Sequence, residues 1–306
     1  MKDISNIIRG KLVLAPMAGV TNLPFRILCR RYGASLVCTE MINANALSRG
    51  NKATERLTET CDEEKPVSFQ LFGTKEENFV ESIKFIEEKA DIIDINMGCP
   101  VAKIIKQGAG VALLKRPEKV KRLVSAVVQA TKKPVSVKIR ISSLENTIKI
   151  AKTVEDAGAA LITIHARTAQ QGYSGKVDWG IVRKTRRELN IPVIGNGGII
   201  DEKSAEKYKK CADYLMIGKA AIGNPYIFTR LNEYLQVGRF IPQMDKIELF
   251  NEFYKLTEKY PIKETDFKTQ ALWFTKGIKN STDLRNNISK AKTKQEILEI
   301  FEKEKN

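Results

Sequence analysis

The sequence has few of the residues that tie small secreted or metal-binding domains together. Its five cysteines are spread over 306 residues and form no Cys-x-x-Cys pair. This argues against a disulfide framework, an iron–sulfur cluster and a zinc site, so we expect no metal. No apolar run approaches ~18 residues, and the first residues lack the apolar centre of a signal peptide. We therefore expect a cytoplasmic protein without a membrane span.

Acidic residues are also in short supply. The chain has 52 Lys and Arg against 36 Asp and Glu, a net charge of +16. An excess this large points to a polyanionic partner, an anionic surface or a role in solubility. Hydrophobic residues make up 42% of the chain, which suits a folded protein with a sizeable core and excludes wholesale disorder.

Short runs rich in Val and Ile alternate with amphipathic stretches such as 76–89, 117–130 and 145–156. Eight such β-then-α units predict an α/β fold, a (β/α)8 TIM barrel over residues 1–237. A doubly wound sheet is the alternative, but no Gly-x-Gly-x-x-Gly fingerprint follows any strand. The predicted strands are 12–16, 35–39, 67–72, 91–97, 135–140, 161–165, 192–195 and 214–219.

No strand pattern remains after the barrel. The stretches 245–260, 264–278 and 282–303 have helical periodicity and predict a small C-terminal helical domain over residues 238–306. Within the barrel, residues 41–64 form a long polar connection after the second strand. Connections of that length inside a compact domain are usually functional or mobile.

Two glycine-containing turns follow the last two predicted strands, at 195–198 and 218–219. In TIM barrels the loops after strands seven and eight bind phosphate, because bare backbone N–H groups and a helix N-terminus face the anion there. Either turn alone equally suits ordinary tight backbone geometry. Together they predict a phosphorylated ligand at the C-terminal end of the barrel.

The other predicted strand ends carry charged and reactive side chains. Lys138 and Arg140 end the fifth strand, and His165 and Arg167 end the sixth; residues two apart share one face of a strand. Cys99 lies in a Gly-Cys-Pro loop, where a thiol has little packing role. A single Lys, His or Cys is more often structural, but an ammonium ending a buried strand is costly without a partner. The other four cysteines are assigned to packing or inert surface.

In combination these residues resemble the tRNA-dihydrouridine synthases, FMN enzymes that reduce a uridine of tRNA to 5,6-dihydrouridine. The most specific feature is Asn-x-Gly-Cys-Pro after the fourth strand with Lys-x-Arg at the fifth. Lys219 stands where arginine is usual, and Gln270 where histidine is common. The matching stretches cover nearly the whole chain: 15–21, 25–26, 70–73, 94–100, 106–110, 113–114, 138–140, 165–168, 195–199, 216–220, 223–225, 272–277 and 284–285.

The resemblance implies an FMN site. Lys138 would stabilise the negative charge of the reduced flavin beside its N1–C2=O edge. The implied flavin-ring residues are Pro16, Met17, Ala18, Gln70, Lys138 and His165. The implied phosphate-binding residues are Asn196, Gly197, Gly198, Gly218 and Lys219.

The resemblance also implies the reaction. NADPH or NADH would reduce FMN, a uridine extruded from tRNA would receive hydride at C6, and Cys99 would donate a proton to C5 as general acid. The sequence leaves open which uridine is reduced and which nicotinamide nucleotide is preferred. We expect a monomer. The implied substrate- and RNA-binding residues are Asn96, Arg140, Arg167, Lys103, Lys106, Lys276 and Arg285.

The charge distribution agrees with a tRNA partner. Residues 101–140 contain eleven basic residues and one acidic residue, and residues 263–294 contain eight basic and three acidic residues. A charge run is usually a solvated face, but one that begins just after Cys99 suits a phosphate backbone.

Three alternatives stay open. An FMN-dependent dehydrogenase of a free pyrimidine, similar to dihydroorotate dehydrogenase, would share the barrel, the flavin and a loop cysteine but would not need the basic tail. An RNA-binding protein on a degenerate barrel would not need Cys99 and Lys138. A flavin-free phosphate-sugar enzyme would be colourless. Fold alone separates none of these.

Overall fold

The computed structural model describes residues 4–279 and 281–304, so the outermost residues of the two predicted domains, 1–3 and 305–306, lie outside the described part. One parallel sheet has the strand order β1-β8-β7-β6-β5-β4-β3-β2. A parallel bridge from Val13 to Leu36 joins its two ends and closes the ring. The TIM-barrel prediction is thereby confirmed, and the doubly wound sheet is excluded. The strands are β1 (Leu12–Leu14), β2 (Val37–Asn43), β3 (Val67–Phe72), β4 (Ile92–Met97), β5 (Val135–Arg140), β6 (Leu161–His165), β7 (Val193–Asn196) and β8 (Tyr214–Ile217).

The barrel helices lie outside this ring, and a group of helices follows them. Pro117 starts its helix, as the sequence predicts. The barrel helices are α1 (Leu23–Arg31), α2 (Ala44–Leu47), α3 (Lys52–Glu55), α4 (Glu76–Ile86), α5 (Ala102–Lys106), α6 (Pro117–Ala130), α7 (Leu144–Asp156), α8 (Trp179–Arg187), α9 (Glu202–Tyr208) and α10 (Ile227–Val237). The C-terminal helices are α11 (Lys246–Lys259), α12 (Glu264–Phe274), α13 (Ser281–Lys290) and α14 (Lys294–Lys303).

The two faces of the strands bury different side chains, because successive residues of a strand point to opposite sides. On β5, Val135, Val137 and Ile139 belong to the large core between sheet and helices. Ser136 and Lys138 alternate with them and face the barrel interior. The lower interior is apolar and is closed by Ile4 and Ile8. The upper interior is polar, and this layer leads to the mouth of the barrel.

The connection after β2 is more ordered than its polar sequence suggests. β2 continues to Asn43, and the predicted loop 41–64 holds α2, α3 and two short 3₁₀ turns. Glu64 at its end forms a buried ion pair with Arg26 at 2.5 Å. This ion pair attaches the end of the connection to α1.

The prediction of a single helix over residues 282–303 is wrong. Residues 282–303 form two helices, α13 and α14, because Thr293 caps a new helix by accepting a hydrogen bond from the Glu296 backbone N–H at 3.1 Å. α12 also ends at Phe274, earlier than predicted, and Gly277 follows with φ +92°. The helical character of the C-terminal region is confirmed.

The C-terminal helices share one hydrophobic core with the barrel. The Gln270 side-chain amide donates to the Val20 backbone carbonyl at 2.9 Å. Tyr260 donates to Glu63 of the β2–β3 connection at 2.9 Å. α10 ends at Val237 and is followed by Gly238, which adopts φ +72°, where the predicted domain boundary lies. That boundary stays a prediction, since the core continues across it.

Candidate active site at the mouth of the barrel

A cavity of about 440 Å³ opens at the C-terminal ends of the strands. Its volume lies within the range of small-molecule and cofactor sites. The structure brings most of the predicted site residues together around it. These are Pro16, Met17, Ala18, Asn96, Cys99, Lys138, Arg140, His165, Arg167, Asn196, Gly197, Gly198, Gly218 and Lys219.

The other predicted site residues do not line the cavity. Gln70 is fully buried on β3, and its side-chain amide bonds Asp94 and Asn96. One amide hydrogen and one lone pair of its oxygen remain for the predicted contact with a flavin edge. Four basic residues are exposed on helices or helix ends outside the cavity: Lys103, Lys106, Lys276 and Arg285. Gln270 is buried against Val20, so this side chain is not part of an RNA-binding surface.

One wall of the cavity is the loop after β1. The Ala15 N–H donates to the Ile217 carbonyl at 2.8 Å, which extends the pairing of β1 with β8. The Met17 N–H donates to the Thr21 hydroxyl at 3.2 Å. The Gly19 N–H donates to Glu40 at 2.5 Å. These bonds hold a small apolar surface in place, so the wall is formed before any ligand binds.

The turn after β7 can be built only with glycine. Gly197 and Gly198 have φ of +109° and +75°. A Cβ on Gly197 would lie 2.9 Å from the His165 ring, and one on Gly198 would lie 3.0 Å from Val177. The Trp179 indole N–H donates to the Gly197 carbonyl at 2.8 Å and fixes the turn. Both glycines line the cavity, and a glycine turn without side chains is an arrangement that suits an anion.

A cation and a neutral imidazole lie side by side in the cavity wall. Lys138 donates to the Asn196 side-chain oxygen at 3.2 Å, and Asn196 donates to the Met216 carbonyl at 2.8 Å. Burial, reinforced by Arg140, lowers the pKa of Lys138 to about 8. Burial and the nearby cations lower the pKa of His165 to about 2, which keeps its ring neutral. Among the described residues, the buried Nδ1 of His165 has no hydrogen-bond partner, so it is free for a ligand.

The loop that carries Cys99 is held by backbone contacts. The Asn96 side-chain oxygen accepts from the Gly98 N–H at 3.2 Å and from the Cys99 N–H at 3.0 Å. A Cβ on Gly110, which has φ +60°, would lie 2.5 Å from the Cys99 carbonyl oxygen. The thiol residue is only 7% exposed and lines the cavity. It is therefore presented to a ligand rather than to bulk solvent.

Arg140 joins two loops at the mouth. Its guanidinium donates to the Gly98 carbonyl at 2.8 Å, beside Cys99. It also donates to the carbonyls of Gly172 at 2.9 Å and Thr168 at 3.2 Å, on the loop after β6. Arg167 donates to the Gly175 carbonyl of the same loop. Both predicted substrate residues thus also shape the mouth.

Sequence reasoning missed Tyr173, which lines the cavity and is 57% exposed. Its ring centre lies 4.5 Å from the Lys219 ammonium and 5.2 Å from the Arg140 guanidinium. An aromatic residue in a glycine-bounded loop after a strand end, where it has no core to pack in, is the signal that could have found it. It offers a flat surface beside two cations.

In residues 4–279 and 281–304, no group of three or more His, Cys, Asp and Glu side chains could hold a metal ion. The same part of the chain contains no helix long and apolar enough to cross a membrane. All five cysteines lie in it and are free.

Comparisons with known proteins agree with this geometry. The profile of the family described as Dihydrouridine synthase (Dus) matches residues 13–306. The tRNA-dihydrouridine synthase B of Xanthomonas axonopodis pathovar citri is 34% identical over 302 residues, 94% of this chain and 90% of that protein. The probable tRNA-dihydrouridine synthase of Aquifex aeolicus is 33% identical, with 98% of each chain covered.

A solved structure shares the fold alone. Histamine dehydrogenase from Rhizobium sp. 4-9 superposes with a TM-score of 0.57 at 12% identity. The alignment covers 81% of this chain and 49% of that one. This likeness supports the barrel and carries no further argument.

Proposed function

The chain belongs to the dihydrouridine synthase family, and from this we propose that it reduces a uridine of tRNA to 5,6-dihydrouridine, with FMN and a reduced nicotinamide nucleotide. The observation that carries the proposal is the composition of one cavity. A loop thiol, a partly buried ammonium and two glycine turns line it together. The fold alone would not require Cys99 and Lys138 to meet there.

The cavity suits FMN at each of its parts. The turn at 197–198 and Lys219 offer bare N–H groups and a cation to a phosphate. The apolar loop at 16–18 offers a flat wall to a ring system. The unpartnered Nδ1 of His165, within the described residues, offers a polar contact that the protein itself leaves unused. Lysine at 219 lacks the bidentate fork of arginine and would hold the phosphate as a point charge.

Lys138 would stabilise negative charge on the cofactor. Its ammonium is partly desolvated and has a depressed pKa of about 8. An anion beside it restores the charged form and removes the burial cost of an unpaired cation. Bound FMN would supply the hydride that reaches C6 of the uracil ring.

Cys99 would act as the general acid that protonates C5 of the uracil. The Asn96 oxygen accepts from the Cys99 N–H at 3.0 Å, and the Val111 N–H donates to the Cys99 carbonyl at 3.2 Å, so the position of the thiol is preorganised. Its low exposure excludes water from the proton transfer. Arg140 and Arg167 close the mouth above it through the loop after β6.

Access to C5 and C6 requires the uridine to leave its stack, so we propose that an extruded base enters the cavity. The exposed ring of Tyr173 would then contact RNA at the mouth. Lys103 and Lys106 on α5 follow the Cys99 loop and would contact phosphates of the same tRNA. The helical region, through Lys276 and Arg285, would hold a more distant part of it. With a tRNA substrate, we propose a cytoplasmic location for the enzyme.

The test is reoxidation of the reduced flavin without oxygen. The protein is loaded with FMN, reduced with NADPH or NADH in parallel, and mixed with unmodified tRNA, free uridine or orotate. We expect reoxidation by tRNA alone, with one dihydrouridine formed per flavin reoxidised. Reoxidation by a free pyrimidine with tRNA inert would replace the proposal by a small-molecule dehydrogenase. Failure to bind FMN would overturn both.

A further inference from the structure

Three buried side chains form a continuous line of hydrogen bonds beneath the cavity. The Gln70 amide nitrogen donates to Asp94 at 2.6 Å. The Asn96 amide nitrogen donates to the Gln70 oxygen at 2.8 Å. The Asn96 oxygen then accepts from the Cys99 backbone N–H at 3.0 Å. None of the three side chains is more than 5% exposed.

The two ends of this line allow only one orientation of the amides between them. A backbone N–H can only donate, and an ionised carboxylate can only accept. With the Asn96 oxygen under the loop, its nitrogen must point to Gln70, and the Gln70 nitrogen must point to Asp94. Each amide is therefore set from both ends, and a flip of either would place two donors or two acceptors face to face.

Asp94 is energetically unfavourable at this buried position. Burial raises the pKa of its carboxyl, and contacts with Gln70 and Ser136 and the charge of Lys138 offset only part of this effect. Its Oδ1 atom has no hydrogen-bond partner in the part of the chain that the structure describes. Buried carboxylates are costly unless they are paired and hydrogen-bonded. A role beyond packing accounts for its presence between two apolar neighbours, Ile93 and Ile95, that face the opposite side of β4.

We infer that Asp94 is a positioning residue, which sets the Gln70 and Asn96 amides and through them holds the Cys99 loop against the cavity. Asp94 does not line the cavity, so we assign it no direct contact with substrate or cofactor. The proton-donor role of Cys99 rests on the proposed function, whereas the restraint on its loop does not. The two can therefore be tested separately.

The experiment measures how fast Cys99 reacts with iodoacetamide, resolved from the other four cysteines by peptide mass spectrometry, from pH 6 to 9. The variants are Asp94→Leu and Asp94→Asn in the full-length protein. Loss of the terminal acceptor should release the loop and speed alkylation of Cys99 about three- to tenfold in Asp94→Leu, as for one lost buried hydrogen bond. Asp94→Asn, which can still accept but no longer enforces the orientation, should give a smaller increase.

The matched control is Ile95→Val, a neighbour on the same strand with its side chain on the other face. It should lower stability slightly and leave the alkylation rate unchanged. If both Asp94 variants matched this control at every pH, the inference would be overturned. If Asp94→Leu does not fold, an unchanged rate in Asp94→Asn overturns it equally.

Turnover on tRNA separates this inference from the proposed function. In the Asp94 variants kcat should fall while KM for tRNA stays within about twofold, because the exposed lysines proposed to bind the tRNA backbone, Lys103 and Lys106, are untouched. A wild-type protein without turnover on tRNA would refute the proposed function and leave the alkylation result standing.

Discussion

The barrel mouth buries charged and polar side chains, whereas the C-terminal helices bury aromatic ones. At the mouth, Lys138, Arg140 and His165 crowd together, and three pKa values are pushed down by burial and mutual repulsion. In the helical region, Phe250 and Phe301 stack with ring centres 3.8 Å apart. There most charges lie on exposed lysines, although burial also lowers the pKa of the partly buried Lys246 to about 8.

The difference indicates which of the two regions ligand binding can stabilise. The mouth keeps unpaired polar groups that a charged ligand would satisfy, so it is stabilised by binding. The helices already bury their aromatic rings and gain nothing more in the core. Substitutions at the mouth should therefore change chemistry more than folding, and core substitutions in the helices should do the reverse.

The largest effect should follow Cys99→Ala. Turnover on tRNA should fall about 10²- to 10⁴-fold, as expected for loss of a general acid. FMN affinity and the unfolding midpoint should stay close to wild type, measured by fluorescence titration and urea denaturation. Cys211→Ala, a half-buried thiol far along the chain, is the control. Full turnover of Cys99→Ala would remove the thiol from the mechanism.

Phe253→Ala tests the core of the C-terminal helices. Its ring is fully buried and stacks on Phe274 with centres 5.5 Å apart. The free energy of unfolding should fall by about 3–5 kcal/mol. Phe240→Ala, at a residue 58% exposed, should change it by less than ~0.5 kcal/mol. If Phe253→Ala lost activity without losing stability, the helices would not be the inert core described above.

Lys138→Met should make the FMN-free protein more stable at pH 7. The folded pKa of about 8 lies below the ordinary 10.5, so the unfolded chain binds more protons between these values. Stability therefore rises with pH across that window, and the burial cost is fully present below pH 8. The variant should gain on the order of 2 kcal/mol at pH 7, and the gain should vanish by about pH 10.5.

Urea denaturation from pH 7 to 10.5 measures that difference. Lys84→Met, at an exposed lysine paired with Glu81, is the control and should show no pH-dependent difference from wild type. A constant difference for Lys138→Met, or a less stable variant at pH 7, would contradict the assignment of the cost to the ammonium.

The smallest effects concern the exposed cations. Lys103→Ala at the mouth and Arg285→Ala in the helices should each weaken tRNA binding a few-fold and lower the salt slope of log Kd by about 1. Lys152→Ala, whose ammonium pairs with Glu188, should leave the slope unchanged. A change from only one of the two regions would show that the RNA contacts that region alone.

The sequence predicts the strands well because their signal is local. Runs such as Val135–Arg140 keep Val and Ile on the face toward the helices, whatever the opposite face carries. β2 is predicted too short because Glu40 and Asn43 interrupt its apolar run where the strand reaches the mouth. The break at Thr293 is missed because the helical period continues on both sides of the cap.

Local sequence patterns predict only part of the candidate site. Motifs identify Cys99 and Lys138, since each is flanked by distinctive neighbours. Asp94 looks like any polar residue of a motif until its bond to Gln70 places it under the Cys99 loop. The role of Tyr173 depends on its contact with Lys219, which lies 46 positions further along the sequence. Contacts between distant loops depend on barrel closure, which no local pattern encodes.

The shared core also sets an order of events on the ribosome. β1 cannot close the ring until β8 emerges about two hundred residues later, a connection of high contact order. The part of α1 that packs on α11 then stays uncovered until α11 has been synthesised. The nascent chain should therefore engage chaperones late in translation and complete its folding only once the helices are free of the exit tunnel.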